Sequence, residues 1–345
     1  MDAAQPVVRG LTDGDRARWD DYVARHPRAT FFHRVGWKRV IEDSFSHDTH
    51  YIYVERAGVI TGILPLVHVK SRLFGSSLVS IPFGVYGGPL ADDPASHDLL
   101  DAHAITLSDR LDVEYLEYRS REPARPDWPC KDDLYFTFRR AIEADPEKNL
   151  KAIPRKQRAV VRQSLDRGFE AVIADTADAV WKIYAESVRN LGTPVFARRY
   201  FRNLKREFGE DCELLEIRKD GRIVCGVLSF YFRDEVVPYY AGGNHEARKG
   251  AYDFMYWDLM SRAGRAGRRL FDFGRSKKGT GAFSFKKNWG FTPAPLHYEY
   301  RLRKLEAIPE HNPLNPKYRL MIAAWKRLPL PVANTIGPFI VRNLG

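Results

Sequence analysis

The chain has 345 residues and a mass of 39.7 kDa, with 44% hydrophobic and 13% aromatic residues, a composition that builds sizeable cores and excludes a disordered chain. Lys and Arg total 55 against 44 Asp and Glu, and the resulting net charge of +11 favours polyanionic partners: tRNA, an acidic carrier protein, nucleotide phosphates or an anionic membrane face. There is no uninterrupted apolar run of about 18 residues and no basic segment followed by an apolar one at the start, so a cytoplasmic protein is expected.

In chain order, Thr30-Phe-Phe-His-Arg-Val-Gly-Trp37 through Phe45 reads as helical. Tyr51 to Gly58 and Val59 to Leu64 read as two strands joined by a tight turn in which Gly58 supplies the bend. The element Tyr86-Gly87-Gly88-Pro89 follows. A helix over 97–110, capped by Ser96, then leads to a strand from Tyr115 that ends Arg119-Ser120. Within that helix, His97 and Asp101 stand at the His-x-x-x-Asp spacing of some condensing acyltransferases, a pair that a helix face also produces by chance. Asp145-Pro146 breaks the chain within 143–150. A helix from Pro154 to Gly168 carries Arg155, Lys156, Arg158, Arg162 and Arg167, either a solvated face or a platform for phosphate.

From Val180 the pieces return in the same order. Helical material to Phe208 precedes a hairpin of Leu214–Gly221 and Arg222–Leu228, with Gly221 at its turn. Tyr240-Ala-Gly-Gly-Asn244 precedes a helix from Ala251 to Ala266, whose apolar face is Tyr252, Tyr256, Leu259 and Ala263. A strand from Leu270 then ends Arg275-Ser276, as the first did at Arg119-Ser120. Such matched order marks a domain duplication. The expected class is α+β: two tandem domains, each a mainly antiparallel sheet flanked by helices, over residues 1–145 and 146–305. Residues 306–345 form a basic amphipathic tail, helical from Tyr318 to Leu328 and then rich in proline, which either lies on an anionic membrane surface or packs on its own domain.

No nucleophile elbow, zinc-binding His-Glu-x-x-His helix or phosphate-binding Gly-Lys-Ser/Thr loop is present. The cysteines, Cys130, Cys212 and Cys225, stand at no metal or redox spacing; they are expected to be reduced, with Cys225 buried in a strand, and no metal site is expected. Polar groups are dense in the second half. Gly242, Gly243 and Asn244 pass into a helix whose N-terminus, with Arg248 and Lys249 nearby, suits an anionic group. Phe271-Asp272-Phe-Gly-Arg275-Ser276-Lys277-Lys-Gly-Thr-Gly281 leaves a strand for a flexible basic loop, and Phe283, Phe285, Lys286, Trp289 and Phe291 follow, offering aromatic walls around a cation.

The string from Phe271 to Trp289, with Tyr240-Ala-Gly-Gly-Asn244 before it, resembles the second domain of FemAB-related proteins, in particular the group associated with PEP-CTERM/exosortase and exopolysaccharide systems. Thr30 to Trp37, Tyr86 to Pro89 and the tail from Trp325 to Pro338 fit that resemblance too. It implies tandem domains of the Gcn5-related N-acetyltransferase (GNAT) fold and transfer of an acyl or aminoacyl group to an amine of an envelope or polysaccharide precursor. The implied donor is aminoacyl-tRNA, acyl-CoA or acyl carrier protein, with no tightly bound cofactor, and the place of work is the cytoplasm or the inner membrane face. Long helical arms that some Fem enzymes insert are absent, which leaves the donor open.

For direct transfer, the residues expected to act are Asp272 or Tyr240, to orient or deprotonate the amine, and backbone donors near Gly242 and Gly243 for the oxyanion. Lys286 and Arg275 are expected on phosphate or carboxylate, with Asn244, Arg248, Lys249, Ser276, Lys277 and Trp289 lining the donor site. The second domain is then the active one and the first its support, so Arg119 is expected to matter less than Lys286. A non-catalytic binding module for a polysaccharide precursor or a partner protein is the alternative.

Overall fold

The computed structural model describes residues 5–71, 75–309 and 319–344. The chain divides into two units: Met1–Tyr135 with Pro295–His311 and Asn343–Gly345, and Phe136–Ala294 with Asn312–Arg342.

In the first unit the strands are β1 (Val7–Gly10), β2 (Asp48–Arg56), β3 (Val59–Ser71), β4 (Gly75–Ser80), β5 (Leu90–Ala91), β6 (Tyr115–Ser120) and β7 (Cys130–Lys131). The helices are α1 (Arg16–Arg25), α2 (Gly36–Phe45) and α3 (Pro94–Arg110). Strands β1 to β4 form an antiparallel ladder, and β6 joins β4 in parallel. The β2–β3 turn is the expected one: Ala57 and Gly58 have φ of 49° and 80°, the left-handed pair that matches the twist of a hairpin. Alternate residues of the strands, among them Ile52, Val54, Leu64, Leu66 and Leu116, pack against Leu100, Ala104 and Leu107 of α3. That pattern is a two-layer core, each buried Leu or Ile contributing about 1.5–3 kcal/mol. The cap of α3 is Asp93, whose carboxylate accepts from the Ser96 amide at 2.8 Å, and not Ser96 as expected. The Ser96 hydroxyl is buried instead, 2.8 Å from Thr61 Oγ1.

In the second unit lie β8 (Tyr135–Ala141), β9 (Glu170–Ile173), β10 (Cys212–Lys219), β11 (Arg222–Phe232), β12 (Glu235–Gly243), β13 (Leu270–Asp272), β14 (Ser276–Lys277) and β15 (Pro293–Pro295). Its helices are α4 (Pro146–Ala152), α5 (Arg155–Leu165), α6 (Asp178–Leu191), α7 (Arg198–Phe208), α8 (Ala251–Arg265) and α9 (Gly281–Asn288). Strands β9 to β12 repeat the antiparallel ladder, and β13 joins β12 in parallel. The hairpin turn again uses two left-handed residues, Asp220 at 50° and Gly221 at 73°. Helix α8 covers one face of the sheet through Met255, Leu259, Met260 and Ala263, and α6 packs on β11 and β12. The helical material expected from Val180 to Phe208 is two helices, because Gly192 ends α6 in the left-handed conformation.

Two findings depart from the expected boundaries. The break falls between Tyr135 and Phe136 rather than at 145/146. Asp145 and Pro146 serve as the cap and first residue of α4. The outer neighbour of β6 is β16 (His297–Leu302), from beyond the second repeat, with β7 next to it. The corresponding neighbour of β13 is β8, from before that repeat. Each sheet is thus completed by a strand that chain order assigns to the other half.

The described part of the tail is α10 (Arg319–Arg327) and α11 (Leu330–Val341), both packed on α6 of the second unit. A side chain at Gly337 would meet the Val195 amide at 2.9 Å. Residues 310–318 of the expected tail, Tyr318 among them, lie outside the described residues. Among the described residues no helix is long and apolar enough to cross a membrane.

Candidate active site

The parallel strands β12 and β13 pair only at Glu235↔Leu270 and Val236↔Phe271. Strand β12 runs on to Gly243 while β13 ends at Asp272. Past that point, the edge of β12 that faced β13 has no partner strand on that side among the described residues.

Asp272 stands where β13 ends, fully enclosed. Its Oδ1 accepts from Thr137 Oγ1 at 2.8 Å and from the Gly274 amide at 2.7 Å, and its Oδ2 is 3.2 Å from Arg139 Nε. Thr137 and Arg139 come from β8, with Arg139 directly opposite Asp272 in the ladder. Neither was singled out from the sequence: they precede Asp272 by more than a hundred residues, and only the strand exchange brings them to it.

Lys286 lies on α9, a helix that begins behind the Thr280 cap, in a stretch to which the sequence assigned no element. Its side chain is buried and donates to the carbonyls of Phe273, Gly274 and Arg275 at 2.6, 3.0 and 3.3 Å. The rings of Phe138 and Phe273 lie 5.5 and 5.9 Å from Nζ. Burial pulls the ammonium down to about 7; Asp272 opposes the fall and Arg275 adds to it. Three carbonyls engage the three donors of the charged form, so Lys286 fastens the turn after β13 and does not stand open to a phosphate.

The remaining expected residues divide between packing and surface. Tyr240 is buried among Tyr184, Phe196, Tyr200 and Phe201, its hydroxyl 3.0 Å from that of Tyr200, and desolvation holds its pKa well above the usual value. Trp289 is fully buried and donates to Asp253 Oδ1 at 3.1 Å. Gly242 is required by packing: a Cβ there would lie 2.5 Å from Tyr184 Cα of α6. One at Gly243 would meet Ala247 Cβ at 2.6 Å. Asn244 caps a short turn through the Glu246 amide, and Arg248 and Lys249 are exposed beyond it. The first turn of α8 already holds Asp253, which also accepts from Gln157 at 2.6 Å and opposes a second anion there. Ser276 is buried, Arg275 is exposed and Lys277 is half-buried on β14.

In the first unit, the three segments that the repeat singled out meet at a cavity of about 280 Å³. Thr30 Oγ1 donates to the Tyr86 carbonyl at 3.0 Å. His33 accepts the Thr30 amide on Nδ1 at 3.1 Å, which leaves Nε2 to donate to the Gly88 carbonyl at 3.0 Å. Burial pulls the His33 pKa down to about 3, so the ring is neutral and acts as a lock. Arg119 closes the inner wall, bonded to Glu117 at 2.7 Å with both side chains buried. Arg121 spans the rim over the Tyr86 ring, near the exposed Arg28. This is a basic, preformed hollow in the half expected only to support. His97 lines the same hollow, its Nδ1 3.5 Å from Asp101 Oδ2, and that carboxylate is also engaged by Arg125 at 3.1 Å and by the Tyr118 hydroxyl at 2.9 Å.

No curated protein matches the chain. Among solved structures, FemX is similar over 92% of this chain and 100% of that one, at 14% identity and a TM-score of 0.64. A tandem GNAT protein of the clavulanic acid biosynthesis pathway covers 86% and 97%, at 15% identity and 0.53. L-PGS from Bacillus licheniformis covers 85% and 96%, at 12% and 0.52. These likenesses establish the tandem GNAT-like fold, and residues 149–287, inside the second unit, match the family described as Acetyltransferase (GNAT) domain.

Proposed function

We propose that the protein transfers an acyl or aminoacyl group to an amine, with the chemistry in the second unit. The observation that carries this reading is the parting of β12 from β13 within the GNAT match. A strand edge without a partner strand takes an extended, amide-bearing ligand by main-chain hydrogen bonds, the way a sheet accepts an added strand. A donor arm laid there presents its carbonyl to an incoming amine. The new C–N bond forms, the thiolate or ribose oxygen of the donor leaves, and the amine proton goes to that leaving group or to solvent. The protein's part is positioning. Asp272 and Lys286 shape the turn from Phe273 to Arg275, and in this reading they are positioning residues rather than the proton acceptor and anion contact first expected.

Acyl-CoA, aminoacyl-tRNA and acyl carrier protein all present such an arm or a charged carrier, and the net charge of +11 suits each. The amine of an envelope or polysaccharide precursor is the acceptor that the FemAB resemblance favours. The cavity of the first unit, rimmed by Arg28 and Arg121, suits an anionic portion of a substrate. Leu320, Met321 and Phe339 are 67–85% exposed on helices that carry Lys326 and Arg327, which favours peripheral contact with an anionic membrane face. A thermal-shift series with the three donors tests the reading, because a ligand at a hundred times its Kd adds about 2.7 kcal/mol to folding. The account expects one donor to raise the melting temperature. A rise with a polysaccharide precursor and with no donor supports the binding-module alternative.

A further inference from the structure

Strand β7 lies antiparallel to β16 in the first unit, with Cys130 opposite Glu299 and Lys131 opposite Tyr298. Continuing that register sets Asp132 opposite His297. Residues two apart on a strand share a face, as do residues directly opposed across a ladder, so Cys130, Asp132, His297 and Glu299 all project to one side. The Cys130 sulfur, an Asp132 carboxylate oxygen and a His297 ring nitrogen all lie within 4.8 Å of one another. Glu299 is fully buried and its two oxygens accept the amides of Ala124 and Arg125, each at 2.8 Å. It adds negative charge behind the three but is itself engaged.

We propose that Cys130, Asp132 and His297 bind a zinc-class divalent ion that clips β16 to β7. Thiolate, imidazole and carboxylate together are the donor set of a borderline-soft ion, and three protein ligands leave a fourth position for water. Tetrahedral zinc with bonds of about 2.0–2.3 Å places its ligand atoms roughly 3.3–3.8 Å apart, so side-chain rotations of about 1 Å complete the site. On binding, the Cys130 thiol loses its proton to solvent and its sulfur bonds to the metal. No sequence spacing indicates this site, because its third ligand stands 165 residues beyond its second. It ties down the strand that the chain supplies from beyond the second repeat.

Cys130 is exposed whereas Cys212 and Cys225 are buried, so thiol chemistry reads this site alone. The full-length chain, stripped with a chelator, is treated with a chromogenic thiol reagent with and without one equivalent of Zn²⁺. Modification of Cys130 is expected to slow by about tenfold or more when the metal is bound. Co²⁺ in place of Zn²⁺ is expected to give a thiolate-to-metal absorption band that Cys130→Ser removes. His297→Ala and Asp132→Asn are expected to leave the thiol reactive and unprotected, with circular dichroism unchanged. Unaltered reactivity with Zn²⁺, or full protection in His297→Ala, overturns the site. Should the His297 variant fail to fold, the absence of a Co²⁺ band from the native sequence overturns it equally.

Discussion

Lys286, expected to matter more for turnover, and Arg119, expected to matter less, are held in different ways. Each is a buried cation, but Lys286 satisfies backbone carbonyls of its own loop while Arg119 neutralises a buried Glu117. Removing Arg119 strands that carboxylate, so Arg119→Ala should cost about 3–5 kcal/mol in urea unfolding, and a loss below about 1 kcal/mol would contradict the pairing. Lys286 acts on stability through pH. In the folded chain its ammonium is held down to about 7, against about 10.5 when unfolded, so between these values the unfolded chain binds more protons. The penalty for burying the charge is therefore full below pH 7 and is relieved as pH rises toward 10. Relative to Lys286→Met, the native protein should gain up to about 1.4 kcal/mol per pH unit across that window. A difference that stays flat or shrinks with pH would place the ammonium in a less buried setting.

The elements were the most legible part of the sequence, because hairpins and amphipathic helices declare themselves locally. Two strands around Ala57-Gly58 or Asp220-Gly221 need no distant information. The Gly242 site did need it: its close approach to α6 depends on how a helix packs on a strand 58 residues later in sequence than Tyr184. These two reasons for glycine separate by substitution. Gly221→Asn, at φ 73° in open space, should change stability by no more than about 0.5 kcal/mol, since Asn tolerates the left-handed region. Gly242→Ala forces its methyl against the α6 backbone and should cost about 1–3 kcal/mol, occasionally more. Equal losses in denaturant melts would refute the packing account. The helix α9 carries no clear period in the sequence because its 8 residues make little more than two turns, although the Thr280 cap was there to be seen.

For the whole molecule, the duplication was visible as matched order, but the exchange of β8 and β16 was not. An alternating strand pattern records which face is buried and says nothing about which neighbour it pairs with. The same blindness hid Thr137 and Arg139 from the environment of Asp272. It also placed the domain boundary ten residues late. A fragment of residues 1–145 therefore lacks β16, leaves the β6 edge open and should be unfolded or aggregated by circular dichroism and gel filtration. A monomeric, cooperatively melting fragment would show that β16 is dispensable. At this scale the central claim is acyl transfer to an amine by a GNAT-like second unit. It is tested most directly by offering isotopically labelled acyl-CoA, aminoacyl-tRNA and acyl carrier protein with a pool of amine-bearing envelope and polysaccharide precursors, and reading the products by mass spectrometry. The account predicts an N-acylated product that carries the label of one donor and requires the intact protein; binding of a precursor with no amide formed from any of the three donors would contradict it.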